Sequence, residues 1–116
     1  MHELNLSNIA TDDYVPLLGD LPNLWSLDLS NSEVTDWGLS RLPLLLDLVE
    51  LEIDNAEITD AGLAHLHKFS GLQHVSAHGK RGVTREGLMN LARALPRCQV
   101  WVPDVGHRCP QCELML

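Results

Sequence analysis

The sequence predicts an α/β fold, a short right-handed solenoid with parallel strands on its concave side and short helices on its convex side. Three observations predict it. A shift of 24 residues brings Leu27, Leu29, Val34, Thr35, Asp36, Gly38, Leu39 and Leu42 onto Leu51, Ile53, Ile58, Thr59, Asp60, Gly62, Leu63 and Leu66. A nine-residue spacing recurs four times, as Leu18–Leu27, Leu42–Leu51, Leu66–Val75 and Leu91–Val100. Apolar residues make up 45% of the chain but aromatic residues only 4%, so the core must be aliphatic. A unit of this size cannot bury its own apolar face and gains a core only by stacking.

The elements follow in order. Met1, Leu4 and Leu6 take the apolar positions of a first strand, at a shift of 23 from Leu27 and Leu29 for the leucines. Thr11-Asp12-Asp13 should cap a short helix carrying Val15, Leu18 and Leu21, with Pro16 in its first turn. Leu24 to Leu29 form the second strand, with Leu27 and Leu29 inward by the two-residue period. Thr35-Asp36 repeats the helix cap, and Trp37 falls where Ala61 and Glu86 stand in later units, which marks it as a surface residue. Gly38, Gly62 and Gly87 recur just inside the helix starts, where close approach of backbone between units would require them. Leu44, Leu45, Leu46 and Leu48 are too many for one core position, so one or two must lie outside it.

The third unit runs from Leu48 through Leu66 and the fourth from Leu72 through Leu91, lengthened by one residue within His78 to Gly82. Leu91 to Leu95 read as the best helical segment, ended by Pro96. Gln99 to Val102 should be the closing edge strand. Val100 and Val102 point inward by the nine-residue spacing, whereas an alternative register turns Cys98 and Trp101 inward. Residues 1–103 thus hold about four units and a closing strand, and 104–116 form a C-terminal tail or cap.

Leu24-x-x-Leu27-x-Leu29 with Thr35-Asp36-Trp37-Gly38-Leu39, and Leu48-x-x-Leu51-x-Ile53 with Thr59-Asp60-Ala61-Gly62-Leu63, resemble a leucine-rich repeat of the short T-D-x-G-L type. Repeats of this type occur in bacterial repeat proteins and in the receptor part of F-box proteins, and a small mitochondrial assembly-factor group looks related. The resemblance covers residues 1–103 and implies the solenoid fold. It does not imply one activity.

Charge is uneven. Residues 1–60 hold 13 acidic groups and one basic group, Arg41, whereas residues 61–116 hold three acidic and seven basic groups. Sequence order is spatial order in a solenoid, so one end is acidic and the other mildly basic. This pattern serves solubility, steering of a partner, or head-to-tail self-association through the solenoid ends. The acidic balance and the lack of an aromatic–basic track argue against nucleic acid. No apolar run has membrane length and no leader is evident, so a cytoplasmic protein is expected.

Parallel strands stack their outward residues into columns about 4.8 Å apart. One column is Glu3, Ser26, Glu50 and His74; the next is Asn5, Asp28, Glu52 and Ser76; the third is Ser7, Ser30, Asp54 and His78. Gln99, Trp101 and Pro103 close the series. Asp28, Glu50, Glu52, Asp54, His74, His78 and Trp101 are therefore the candidate partner-binding residues, suited to another protein with a basic surface. The bland reading of the same residues is a solvated sheet face.

His107-Arg108-Cys109-Pro110-Gln111-Cys112 is the other pointed motif. Two thiolates in C-x-x-C give half of a tetrahedral zinc site, and His107 and Cys98 complete a set on paper. Without a second C-x-x-C, the favoured reading is an irregular tail with reduced thiols. No phosphate-cradling glycine loop occurs, and no serine or histidine has a recognisable activating context. The expectation is a non-catalytic protein–protein interaction module without a cofactor. The alternatives are a small zinc-binding or thiol-redox protein and a fragment of a longer repeat protein.

Overall fold

The computed structural model describes residues 2–9, 11–20, 23–45, 47–77, 82–102 and 106–108. Strands β1 (His2–Asn5), β2 (Leu24–Asp28), β3 (Glu50–Glu52), β4 (His74–Ser76) and β5 (Gln99–Val102) lie side by side in chain order and are all parallel. The pairing register reproduces the sequence offsets. Leu4 faces Leu27, Leu27 faces Leu51, Leu51 faces Val75, and Val75 faces Val100. Stacking continues past the strand ends, where the Leu29 amide donates to Glu52 O (2.7 Å) and the Ile53 amide to Ser76 O (2.8 Å).

The far edge differs from expectation. A sixth strand, β6 (Gly106–Arg108), pairs antiparallel with β5, so Gln99–Val102 is not the closing edge. Cys98 and Val100 are both fully buried. The two registers considered for this segment thus each hold in part. The turn that places Cys98 (amide to Leu95 O, 2.9 Å) matches the turns that place Leu48 and Leu72. Cys98 then reaches Val100 in two residues where Leu72 takes three to reach Val75.

Strands β1, β2 and β3 each leave through a turn that needs a left-handed residue. Asn8, Asn31 and Asn55 supply it with φ of 68°, 57° and 58°. Asparagine tolerates this region because its short polar side chain bonds locally. Asn55 Nδ2 also donates to Asn31 Oδ1 (3.2 Å), so neighbouring turns are linked.

The opposite layer holds α1 (Asp36–Ser40), α2 (Asp60–Ala64) and α3 (Arg85–Ala94). A 3-10 turn, Val15–Asp20, replaces the α-helix expected near Val15, and another, His65–Lys68, extends α2. Helices of five residues are unstable alone. Here Leu39, Leu42, Leu63, Leu66, Leu88 and Leu91 bury against Leu27, Leu51 and Val75 in one aliphatic cluster. Leu44 is exposed while Leu45 and Leu48 are buried, as the crowded leucine run requires.

The T-D-x-G motif is explained by contacts between units. Asp12 Oδ1 accepts the Thr35 amide (2.8 Å) and Asp12 Oδ2 the Thr35 hydroxyl (2.6 Å). Asp36 binds Thr59 in the same way, and Asp60 binds Thr84. Each glycine makes room for that carboxylate. A Cβ on Gly38, Gly62 or Gly87 would lie 2.0, 2.2 or 2.0 Å from Oδ1 of Asp12, Asp36 or Asp60. The approach expected of two backbones is therefore that of a side chain to a backbone. Thr59 and Thr84 also cap their helices, accepting from the Ala61 amide (3.2 Å) and the Gly87 amide (3.1 Å), whereas Thr35 makes no cap bond.

Gly87→Ala tests this arrangement, because the three atoms nearest its added Cβ all belong to Asp60. Alone it should destabilise by about 1–3 kcal/mol through overpacking. In an Asp60→Ala background it should become neutral or stabilising, because alanine is favoured over glycine in a helix by about 1 kcal/mol. Urea denaturation of the four proteins of the cycle measures the coupling, and an equal cost in both backgrounds would sink the interpretation.

Candidate functional site

The open face of the sheet carries the outward residues of each strand, and the structure brings most of the candidate residues together there. Glu3, Ser26, Glu50, His74 and Gln99 lie in one row of register partners, and Asn5, Asp28, Glu52 and Ser76 in the next. Asp54 adjoins the end of the second row, because Ser76 Oγ donates to Asp54 Oδ1 (2.7 Å). His78, Cys109 and Cys112 lie outside the described residues. Trp101 and His107 are backbone partners between β5 and β6, and their side chains are outside the description.

Small polar residues organise the carboxylates. Ser26 Oγ donates to Glu50 Oε2 (3.3 Å), Asp28 Oδ1 accepts the Ser30 amide (2.9 Å), and Ser30 Oγ accepts the Asp54 amide (3.2 Å). Asn5 Oδ1 accepts the Ser7 amide (2.9 Å), so the arrangement at Asp28 recurs one unit earlier with an amide in place of the acid. His74 is the register neighbour of Glu50, but no ion pair joins them.

Glu52 sits at the centre of this face. Partial burial raises its pKa above the ordinary 4.5, and a hydrogen bond with Asp28 and repulsion from Asp28, Asp54 and Glu50 push it the same way. Crowding of like charge makes ionisation of this group costly. Yet among the described residues no group of three or more His, Cys, Asp or Glu side chains is arranged to hold a metal ion. The carboxylates spread along a row and do not converge on a point.

Cys98, one of the four zinc candidates, is enclosed in the core, and burial pushes its thiol up to about 12. A metal ligand or redox nucleophile acts as the thiolate, the form that this burial disfavours, and in this fold Cys98 packs in the core cluster. Its resemblance to Leu48 and Leu72 at the strand approach was the readable signal for that role. A cleft of about 380 Å³, which sequence reasoning missed, lies between the end of α3 and the 3-10 turn after α2, lined by His67, Ser70, Ala94, Leu95, Pro96 and Arg97. No helix among the described residues is long and apolar enough to cross a membrane.

No protein-family model matches the chain, and no curated protein matches it.

Two outcomes follow from this chemistry. The folded state binds the Glu52 proton more tightly than the unfolded state does, so this group's contribution to stability falls as pH rises from 4.5 through the raised value. Glu52→Gln should therefore stabilise at pH 7 by about 0.5 kcal/mol, a small gain because the group is exposed and screened, and the gain should vanish below about pH 4. Paired urea titrations at the two pH values read it. In a Cys109→Ser/Cys112→Ser background, Cys98 should resist a thiol reagent at pH 8 and react only as the protein unfolds. Labelling of the native protein at the rate of a free cysteine would contradict its burial.

Proposed function

We propose that this chain is a short right-handed leucine-rich-repeat solenoid that binds another protein through its concave sheet face and performs no catalysis. The 24-residue register, the chain-order parallel strands and the recurring T-D-x-G contacts support the solenoid reading. The observation that carries the binding reading is the uncompensated charge of three carboxylates on the sheet face. Asp28, Glu50 and Glu52 lie on adjacent strands, and among the described residues none has a cationic partner.

A basic segment laid across the strands would supply what this face lacks. Lysine or arginine beside Glu52 would offset the repulsion that raises its pKa. The flat array favours an extended contact, whereas a small molecule is usually held in a concave pocket. Electrostatic complementarity of this kind mainly sets on-rate and specificity, so binding should weaken with salt. Cytoplasmic residence belongs to the same proposal and accords with the free, buried Cys98.

The test is a selection of displayed random peptides on the wild-type protein and on Asp28→Lys/Glu52→Lys. The wild type should enrich peptides with lysine or arginine at alternate positions, and the double reversal should weaken the selected peptides by at least about tenfold, the scale of 1.4 kcal/mol. Absence of basic enrichment, or retention of the peptides by the reversed protein, would refute the sheet-face assignment.

A further inference from the structure

Among the described residues the large exposed hydrophobic side chains are confined to one end. They are Ile9, Tyr14, Leu17, Trp37 and Leu44, and none lies beyond residue 44. Four of them belong to the helical layer, on the side of the molecule opposite the acidic sheet face. Tyr14 is 47% exposed, Leu17 60%, Trp37 57% and Leu44 56%. Single exposed hydrophobics are ordinary, but a group of them on one surface needs a reason.

The packing of the first two units makes the segments that carry them neighbours. Asp12 is held against Thr35 and Gly38, which sets the segment before Val15 beside the start of α1. Gly19 lies against Pro43, which sets the end of the first 3-10 turn beside the segment that follows α1. The segment carrying Leu17 therefore neighbours the segment that carries Leu44 and follows Trp37. The Arg41 guanidinium lies 4.9 Å from the centre of the Trp37 ring. That stacking leaves the indole exposed in a held orientation, as an anchoring aromatic requires.

The charge of these two units points to the occupant. Arg41 is the one basic residue among the first 60, and exposed Asp13, Asp20, Glu33 and Asp47 belong to the same two units. We propose that this outer face docks a basic amphipathic segment of a partner protein, whose apolar side chains cover Trp37 and Leu17 and whose lysines or arginines meet the acidic rim. An anionic lipid surface would be repelled by that rim. The surface is distinct from the sheet face, so one partner can engage the acidic end from two sides or two partners can share it.

The experiment titrates the full chain into a short fluorescein-labelled amphipathic peptide of leucine and lysine, followed by anisotropy, with a counterpart in which glutamate replaces lysine. The basic peptide should bind, the acidic one should not, and added salt should weaken binding. Trp37→Ala should weaken it by roughly 30-fold, the scale of a central aromatic anchor. Leu17→Ser should weaken it as well, and both variants should melt as the wild type does. Asp28→Lys/Glu52→Lys, on the other face, should change it by less than about threefold, because distant sites act independently. Binding that survives Trp37→Ala and Leu17→Ser overturns the proposal, as does binding abolished by the sheet-face reversal alone. Co-sedimentation with phosphatidylserine vesicles, or a concentration-dependent dimer dissolved by Leu17→Ser, would overturn it by showing a different occupant.

Discussion

The contact on which the rest of this structure depends is the pair of hydrogen bonds from each threonine to the aspartate one unit earlier. Hydrogen bonds to a charged group are worth about 1.5–3 kcal/mol when well made, with the lower end fitting these partly exposed sites. Their effect on geometry is larger than their energy. The bond to the threonine amide holds the start of one helix at a fixed place against the next, so the helical layer advances in step with the sheet. Thr11 to Leu27, Thr35 to Leu51, Thr59 to Val75 and Thr84 to Val100 are all separated by 16 residues. Variation is confined to the path from strand to threonine, which takes seven, eight, eight and nine residues from Leu4, Leu27, Leu51 and Val75. Loops of that kind absorb length at little free-energy cost. In the last unit the approach to Cys98 is one residue longer and the run from Cys98 to Val100 one shorter, and the total is preserved.

The same contact defines how far this interaction extends. Tyr14 stands at the position of Gly38, Gly62 and Gly87, and a side chain there fills the space in which the glycines admit a carboxylate. Arg85 stands at the position of Asp12, Asp36 and Asp60, so the fourth unit offers no acceptor for a following threonine. β6 meanwhile covers the edge of β5 by antiparallel pairing. Head-to-tail stacking of copies through this staple therefore lacks both halves of the contact. Opposite charge at the two ends is a weaker argument for such stacking than the mismatch of Tyr14 and Arg85 is against it, because surface charge acts at long range and without register.

Much of this was legible because inward residues and spacing are fixed by the same constraint. A strand must alternate, and a unit must advance by the pitch of its neighbour, so Leu27, Leu51, Val75 and Val100 disclosed the register before any coordinate did. The outward rows Glu3–Ser26–Glu50–His74 and Asn5–Asp28–Glu52–Ser76 then followed from the pleat. The reason for Gly38 was not legible, because its constraint comes from Asp12, far away in the chain, and no local pattern names that partner. The left-handed turns were legible in principle. Asn8, Asn31 and Asn55 recur in register, and Gly79 takes the next place in sequence. The lack of an ion pair between Glu50 and His74 was not, since register fixes backbones and leaves side chains to solvent.

Three kinds of position emerge once these constraints are separated. Inward aliphatics are fixed by the core, and the threonine, aspartate and glycine of the staple are fixed by the neighbouring unit. The residue between aspartate and glycine is fixed by neither, and Asp13, Trp37, Ala61 and Glu86 show the freedom that results. A charged or small residue there is what an exposed helix start ordinarily carries. Trp37 brings a large apolar surface into water at a place where the fold asks for nothing, and its stacked Arg41 does not cover it. The sheet face makes the same point with charge, where Ser26 and the Ser30 amide order the Glu50 and Asp28 carboxylates without neutralising them. Both surfaces carry a cost that packing does not require, and both lie in the units where the acidic residues accumulate. Recognition, as proposed for each surface, would account for the two together.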